Sequence, residues 1–199
     1  MATPAQIEAQ YFALWATVQL SGSRLSEIDA TITRLMRGQA RYEYVALRTP
    51  KRMPWVVIAL LHLRECDLNF SQHLHNGDPL STRTVRVPKG RPLSAGPWTW
   101  EQSAFDALRN DRIDAIVNWD IAQILGAMER YNGLGYRKKG LRSPYIWGAT
   151  NHQQLGKYVR DGVFDPDVMD RQLGVAALLH RMCTTKAIAL AACAATKIV

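Results

Sequence analysis

The chain is poor in cysteine, short of acidic residues, and has no apolar run long enough to span a bilayer. Each shortage removes a class of protein. The 199 residues carry three cysteines, Cys66, Cys183 and Cys193. The count is odd and no pair has metal-ligand spacing, so no zinc module is indicated and no metal is expected. Free thiols in a reducing cytoplasm are the expectation. The N-terminal stretch MATPAQIEAQYFALW has no basic segment followed by a long apolar core, so no secretory signal is expected. The longest apolar run near the end, Ala187 to Thr196, is too short for a transmembrane helix. Seventeen Asp and Glu face 25 Lys and Arg, leaving a net charge of +8. That imbalance points to an anionic partner: nucleic acid, a membrane face or an anionic wall polymer. A hydrophobic content of 47% places the chain among packed globular proteins.

The richest segment runs from Met53 to Leu80. Pro54 opens it, and Trp55 to Leu63 is apolar almost all round, the pattern of a buried helix. The run ends in Arg64, Glu65, Cys66 and Asp67. A carboxyl there faces the negative end of the helix dipole, and apolar neighbours disfavour its charged form. Both effects suit a general acid. The competing reading is a structural Glu paired with Arg64 or another arginine.

The remaining pattern is mostly helical. Helices are expected over residues 5–20, about 25–36 with Ser23 as N-cap, 54–66, from Trp100 with Thr99 and Gln102 as a capping box, and 113–131. Further helices are expected at roughly 150–160, 167–182 and 185–196. Arg34, Arg37, Arg41, Arg48, Lys51 and Arg52 form a basic belt opposed only by Glu43. Residues 71–98 turn polar and rich in Gly and Pro, and Thr82 to Val87 alternates like one arm of a small hairpin or forms an ordered loop. Residues 133–150 read as a loop rich in Gly, Arg and Tyr. The chain shows no internal repeat. The expected fold is one mostly α domain with a small β-hairpin or loop lobe.

Two further constellations invite chemistry. His73 and His75 share a strand face and could bind zinc, but a third ligand motif is missing. Cys66 and His62 lie one helical turn apart, the spacing of a nucleophile pair, although a buried apolar Cys is the commoner case.

The layout and several motifs resemble the lysozyme-like superfamily. His62 to Phe70, HLRECDLNF, is similar to the Glu-Ser-x-x-Asn/Asp-Phe segment of goose-type lysozymes and lytic transglycosylases, with Cys66 where Ser is usual. Glu129 to Tyr136, ERYNGLGY, resembles their cleft-lining Tyr-Asn-Gly segment. HLHNGDPL, TRTVRVPKGRP, SPY and GKYVRDGVFDP look like phage endolysins. The Gly-Leu-Met-Gln-like stretch usual after the Glu is missing, and HLHNGDPL occupies its place. The resemblance covers roughly residues 50–182. It implies a single lysozyme-like catalytic domain over 1–199, with 1–45 as a helical N-terminal extension and no separate wall-binding module.

The same resemblance implies an endolysin-type glycosidase acting on peptidoglycan, with Glu65 as general acid and no cofactor. Asp78 is the candidate second carboxylate, or else a turn residue of Asn76-Gly77-Asp78-Pro79. Carboxyls about 5 Å apart would mean retention, and roughly 6.5–9.5 Å inversion. Thr82 or Thr84 could position water. Tyr131, Asn132, Tyr136 and Tyr145 are expected to contact glycan, with Trp147 as a further stacking candidate. The implied partners are glycan strands and an anionic outer-membrane surface. The implied protein is a monomer held in the host cytoplasm until release. Without a second carboxylate, a lytic transglycosylase using the sugar's own hydroxyl is the alternative. A chitinase or chitosanase is another, and a basic helical nucleic-acid-binding protein is the alternative from a different class.

Overall fold

The computed structural model describes residues 3–160, 162–190 and 193. The order is α1 (Pro4–Trp15), α2 (Leu25–Met36), α3 (Gln39–Ala46), α4 (Trp55–Cys66), α5 (Trp100–Asn110), α6 (Ile121–Asn132), α7 (Gly135–Lys138) and α8 (Pro144–Trp147). Then come β1 (Lys157–Arg160), β2 (Val163–Asp165) and α9 (Val175–Thr184). The fold is mostly helical with one small antiparallel hairpin, as expected. No described helix is long and apolar enough to cross a membrane. The chain forms two compact units, residues to Ile32 together with Trp119 onward, and Thr33–Asn118.

In the discontinuous unit, α1 packs on α6, and α8 packs on α6 and α9. Tyr11, Trp15, Ile124, Leu125, Met128, Ile146, Val175, Leu178 and Leu179 are buried there. The amide of Gly174 donates to the carbonyl of Gly148 at 2.9 Å. A Cβ on Gly174 would lie 2.4 Å from the Gly148 nitrogen, so only glycines allow the two backbones to cross this closely. Helix α1 has the Thr3–Gln6 capping box and ends at Trp15, not at residue 20. There the Thr17 hydroxyl turns back onto the carbonyls of Ala13 and Leu14.

Four expectations about this unit need correction. Helix α6 starts at Ile121, not at 113, because the Asp120 side chain caps the Gln123 amide. Residues 150–160 are not helical; they end in β1, which pairs with β2 across a turn containing Gly162 at φ +71°. The helix expected over 167–182 is shorter and later, Val175–Thr184. Thr185–Leu190 is not helical, and the rest of the helix expected to 196 lies largely outside the described residues.

The cysteines are also not all free. Cys183 and Cys193 form a disulfide. Lys186 takes φ +56°, and the amide of Ala187 donates to the Met182 carbonyl. The chain thus folds back past the end of α9 and brings Cys193 within a Cα–Cα distance of 5.1 Å.

In the contiguous unit, α3 packs on α4 and α5. Val56 to His62 of α4 are buried without a break, which answers the apolar pattern of the sequence. A helix was not expected over the basic belt, yet α3 runs through it. Arg34 bonds the Asp67 carboxylate at 3.0 Å, and Arg41 bonds Glu101 at 2.6 Å. Arg41 also lies 3.9 Å from the Phe70 ring centre. At these two positions the belt is structural. Helix α5 starts at Trp100 with the Thr99–Gln102 box, as its sequence indicates.

Candidate active site

Glu65 occupies the last turn of α4 and is half-buried. The helix ends because Asp67 and Leu68 take left-handed backbones, φ +46° and +63°. Their amides bond back to the carbonyls of Leu63 and His62. Arg34 fixes this end further by donating to the Asp67 carbonyl. The carboxyl of Glu65 is therefore borne by backbone held from both sides.

Beneath α4 sits an aromatic cluster of Tyr42, His62, Phe70 and Trp100, with ring centres 4.5–5.8 Å apart. The Tyr42 hydroxyl meets His62 Nδ1 at 2.9 Å. Burial lowers the His62 pKa to about 4, so the imidazole is neutral at neutral pH. His62 is thereby committed to the core and not paired with Cys66. The Cys66 thiol donates to the His73 carbonyl at 3.1 Å. Burial, reinforced by the Glu65 charge, pushes that thiol up to about 12. Cys66 is not an activated nucleophile. Accordingly, folded protein at about pH 8, near the ordinary thiol pKa, should resist iodoacetamide at Cys66, while denatured chain reacts fully. Peptide mass mapping reads this directly; fast alkylation of folded protein would contradict it.

The polar excursion after α4 is an ordered loop, not a hairpin. Gly77 takes φ +73°, and a Cβ on it would lie 2.5 Å from the Glu65 carbonyl oxygen. The turn at Asn76–Asp78 thus rests directly on the backbone of Glu65. The buried Asp78 carboxylate accepts from the amides of Val85 at 2.8 Å and Arg86 at 3.0 Å, and from Arg86 Nε at 2.7 Å. Burial alone would raise its pKa, but the Arg86 bonds and the Val85 amide outweigh it and hold the carboxyl below its ordinary value. Asp78 therefore stays ionised and anchors the loop. The turn reading of Asp78 matches this geometry, and three donors already occupy its oxygens.

Thr84 is the second anchor. Its hydroxyl donates to the Pro88 carbonyl and accepts from the Arg91 amide at 2.9 Å. Its own amide donates to the Arg91 carbonyl at 2.8 Å. Thr84 is buried and its hydroxyl is occupied in closing the loop, in place of positioning water. Thr82 is exposed, and its carbonyl meets His73 Nε2 at 2.8 Å.

The histidines anchor the loop base. His73 Nδ1 meets Ser103 at 2.7 Å, and His75 Nε2 meets Asp106 at 2.8 Å. Arg91 grips the same Asp106 with two bonds of 2.8 Å. Burial, above all, lowers the His75 pKa despite that carboxylate. Both nitrogens of His73 and one of His75 are thus committed to protein partners. Among the described residues, no group of three His, Cys, Asp or Glu could hold a metal. The Arg91–Asp106–His75 brace has no short-range signal in the sequence, since its members come from three separate segments.

The remaining candidates lie in the other unit. Tyr131 is half-buried, and Asn132 is exposed at the end of α6. Tyr136 and Tyr145 correct the expectation of open stacking platforms, because both are buried. Tyr136 accepts the Tyr158 amide at 3.0 Å and packs edge-on against Tyr158 and Phe164. Tyr145 and Trp147 are buried on α8. The region expected to be a loop holds two short helices that turn its aromatics inward. A buried ion pair in this unit was not foreseen. Glu129 on α6 accepts from the Tyr11 hydroxyl at 2.6 Å and from Arg137 Nε at 2.7 Å.

No family model matches the chain, and no curated protein or solved structure matches it.

Proposed function

We propose that the protein is a glycosidase of bacterial peptidoglycan, with Glu65 as the proton donor to the leaving oxygen. The observation that carries this reading is the placement of Glu65: a half-buried carboxyl on the final turn of a buried helix, with an ordered polar loop resting on its own backbone. A general acid must be fixed beside the scissile bond, and this support supplies fixity. The motifs around Glu65 and the net charge of +8 agree with a bacterial wall as substrate.

The occupation of Asp78 bears on the second half of the reaction. A nucleophile or general base would have to give up bonds that hold the loop. This favours the lytic transglycosylase variant, in which Glu65 protonates the leaving oxygen as the glycosidic bond breaks, a hydroxyl of the same sugar bonds to the anomeric carbon, its proton returns to the Glu65 carboxylate, and an anhydro product forms. Lysis with release of the chain from the host cytoplasm completes the reading.

The test is turbidity loss of outer-membrane-permeabilised Gram-negative cells, wild type against Glu65→Gln. Removal of a general acid is expected to lower the rate by about 100-fold or more. Product masses then separate the mechanisms, since the anhydro product is lighter by one water. Equal lysis by both proteins would make Glu65 structural. Absence of lysis by wild type would shift the reading to nucleic-acid binding, seen as DNA affinity that falls with salt.

A further inference from the structure

The loop that rests on Glu65 also carries an outward face that none of the preceding chemistry uses. Val85, Val87 and Leu93 are 69%, 81% and 71% exposed. Three large apolar side chains this open within nine residues are unusual in a folded loop. Cations are interleaved with them: Arg83, Arg86, Lys89 and Arg91, with no acidic residue from Pro79 to Trp98. Arg86 and Arg91 are matched by Asp78 and Asp106. Arg83 is held by neutral carbonyls of Gly90, Pro92, Leu93 and Ser94, and so keeps its charge uncompensated by these contacts. Lys89 is exposed at the tip.

The backbone of this tip is turned inward. The Val85 and Arg86 amides bond the Asp78 carboxylate. The Arg86 and Val87 carbonyls accept from Asn76 Nδ2. Pro88 has no amide hydrogen, and its carbonyl accepts from Thr84. A tip whose Val85 and Arg86 amides and Arg86, Val87 and Pro88 carbonyls are bonded from within, with valines projecting outward, suits an environment that offers few hydrogen bonds. A carbohydrate or a nucleic acid would instead call for aromatic faces, where Val85, Val87 and Leu93 are aliphatic.

We propose that the Val85–Leu93 loop docks the protein on an anionic lipid surface, its valines entering the headgroup boundary and Arg83 and Lys89 meeting lipid phosphates. Apolar tips combined with cations are the pairing that binds such surfaces. The proposal stands on the loop alone and does not depend on the glycosidase reading.

The test is co-sedimentation with vesicles of phosphatidylcholine containing phosphatidylglycerol, beside vesicles of phosphatidylcholine alone. Wild type should sediment with the anionic vesicles, and added salt should weaken this. Val85→Ser/Val87→Ser should bind at least about tenfold more weakly, given the area two valines could bury. Lys89→Glu should also weaken binding. Leu155→Ser, an exposed leucine outside the loop, should bind as wild type does. Matching thermal melts would show that each variant is folded. Failure of wild type to sediment with anionic vesicles would overturn the proposal. So would equal binding by the valine double variant, an equal loss in Leu155→Ser, or equal affinity for zwitterionic vesicles. Because the readout is lipid binding, it is unaffected by whether Glu65→Gln retains lysis.

Discussion

Glu129→Ala is expected to be the most destabilising single substitution on the polar side of the discontinuous unit. Glu129 is buried, and one of its oxygens receives both the Tyr11 hydroxyl and the Arg137 guanidinium. Burial, with the Glu129 charge second, raises the Tyr11 pKa, so the phenol remains a donor at any physiological pH. Truncating Glu129 removes the acceptor from both donors at once and leaves the Arg137 charge facing a void. Removing one member of a buried pair costs about 3–5 kcal/mol. The Arg137 side chain is 26% exposed and can partly rehydrate, so the lower end, about 3 kcal/mol, is expected. For a chain of this size that is a fall of roughly 6–12 °C in Tm. Glu129→Gln keeps the shape and an acceptor and should cost less. Thermal unfolding followed by circular dichroism checks this. A change under about 1 kcal/mol, the size of an exposed pair, would mean that the three side chains are solvated.

Gly77→Ala should damage the other unit by a different route. The residue sits at φ +73°, where a side chain is strained, and the added Cβ would lie 2.5 Å from the Glu65 carbonyl oxygen. The strain is worth about 1–3 kcal/mol and the overlap about 1–3 more, so roughly 2–6 kcal/mol is expected in total. Relief requires the Asn76–Asp78 turn or the last turn of α4 to move. On the glycosidase reading, the folded fraction should also lose activity, since about 1 Å of misplacement can cost about 100-fold. Denaturant melts and lysis rates per folded molecule separate the two effects. Wild-type stability in the variant would mean that the turn does not rest on Glu65.

How much of this was legible depended on whether the decisive partner lay near in sequence. Helix α5 could be placed from Thr99 and Gln102 because a capping box is local. Helix α4 could be placed because an unbroken apolar run has few other outcomes. The start of α6 was set eight residues early, since the apolar period continues back through Ile116 and Ile113 while the Asp120 cap interrupts it. Thr82–Val87 alternates like a strand, yet the Val85 and Arg86 amides go to a carboxylate and not to a ladder. The hairpin formed instead at 157–165, where Gly162 with positive φ allows the turn. For the site, Glu65 could be singled out from its helix end, and Asp78 from its turn. The anchoring of Thr84, the His75–Asp106–Arg91 brace and the burial of Tyr136 and Tyr145 each depend on tertiary neighbours that spacing does not encode.

The division of the chain has a consequence for the order of events during synthesis. Tyr11 meets Glu129 across 118 residues of sequence. At translation rates of about 5–20 residues per second, α1 waits roughly 6–24 s for its partner to be made. Residues 33–118 are contiguous and are made within that interval, so their own helices can begin to close before α6 is complete. The nascent chain therefore carries α1 without its partner α6 for the whole of that interval, and exposure of Tyr11 and Trp15 then is the stage most open to aggregation.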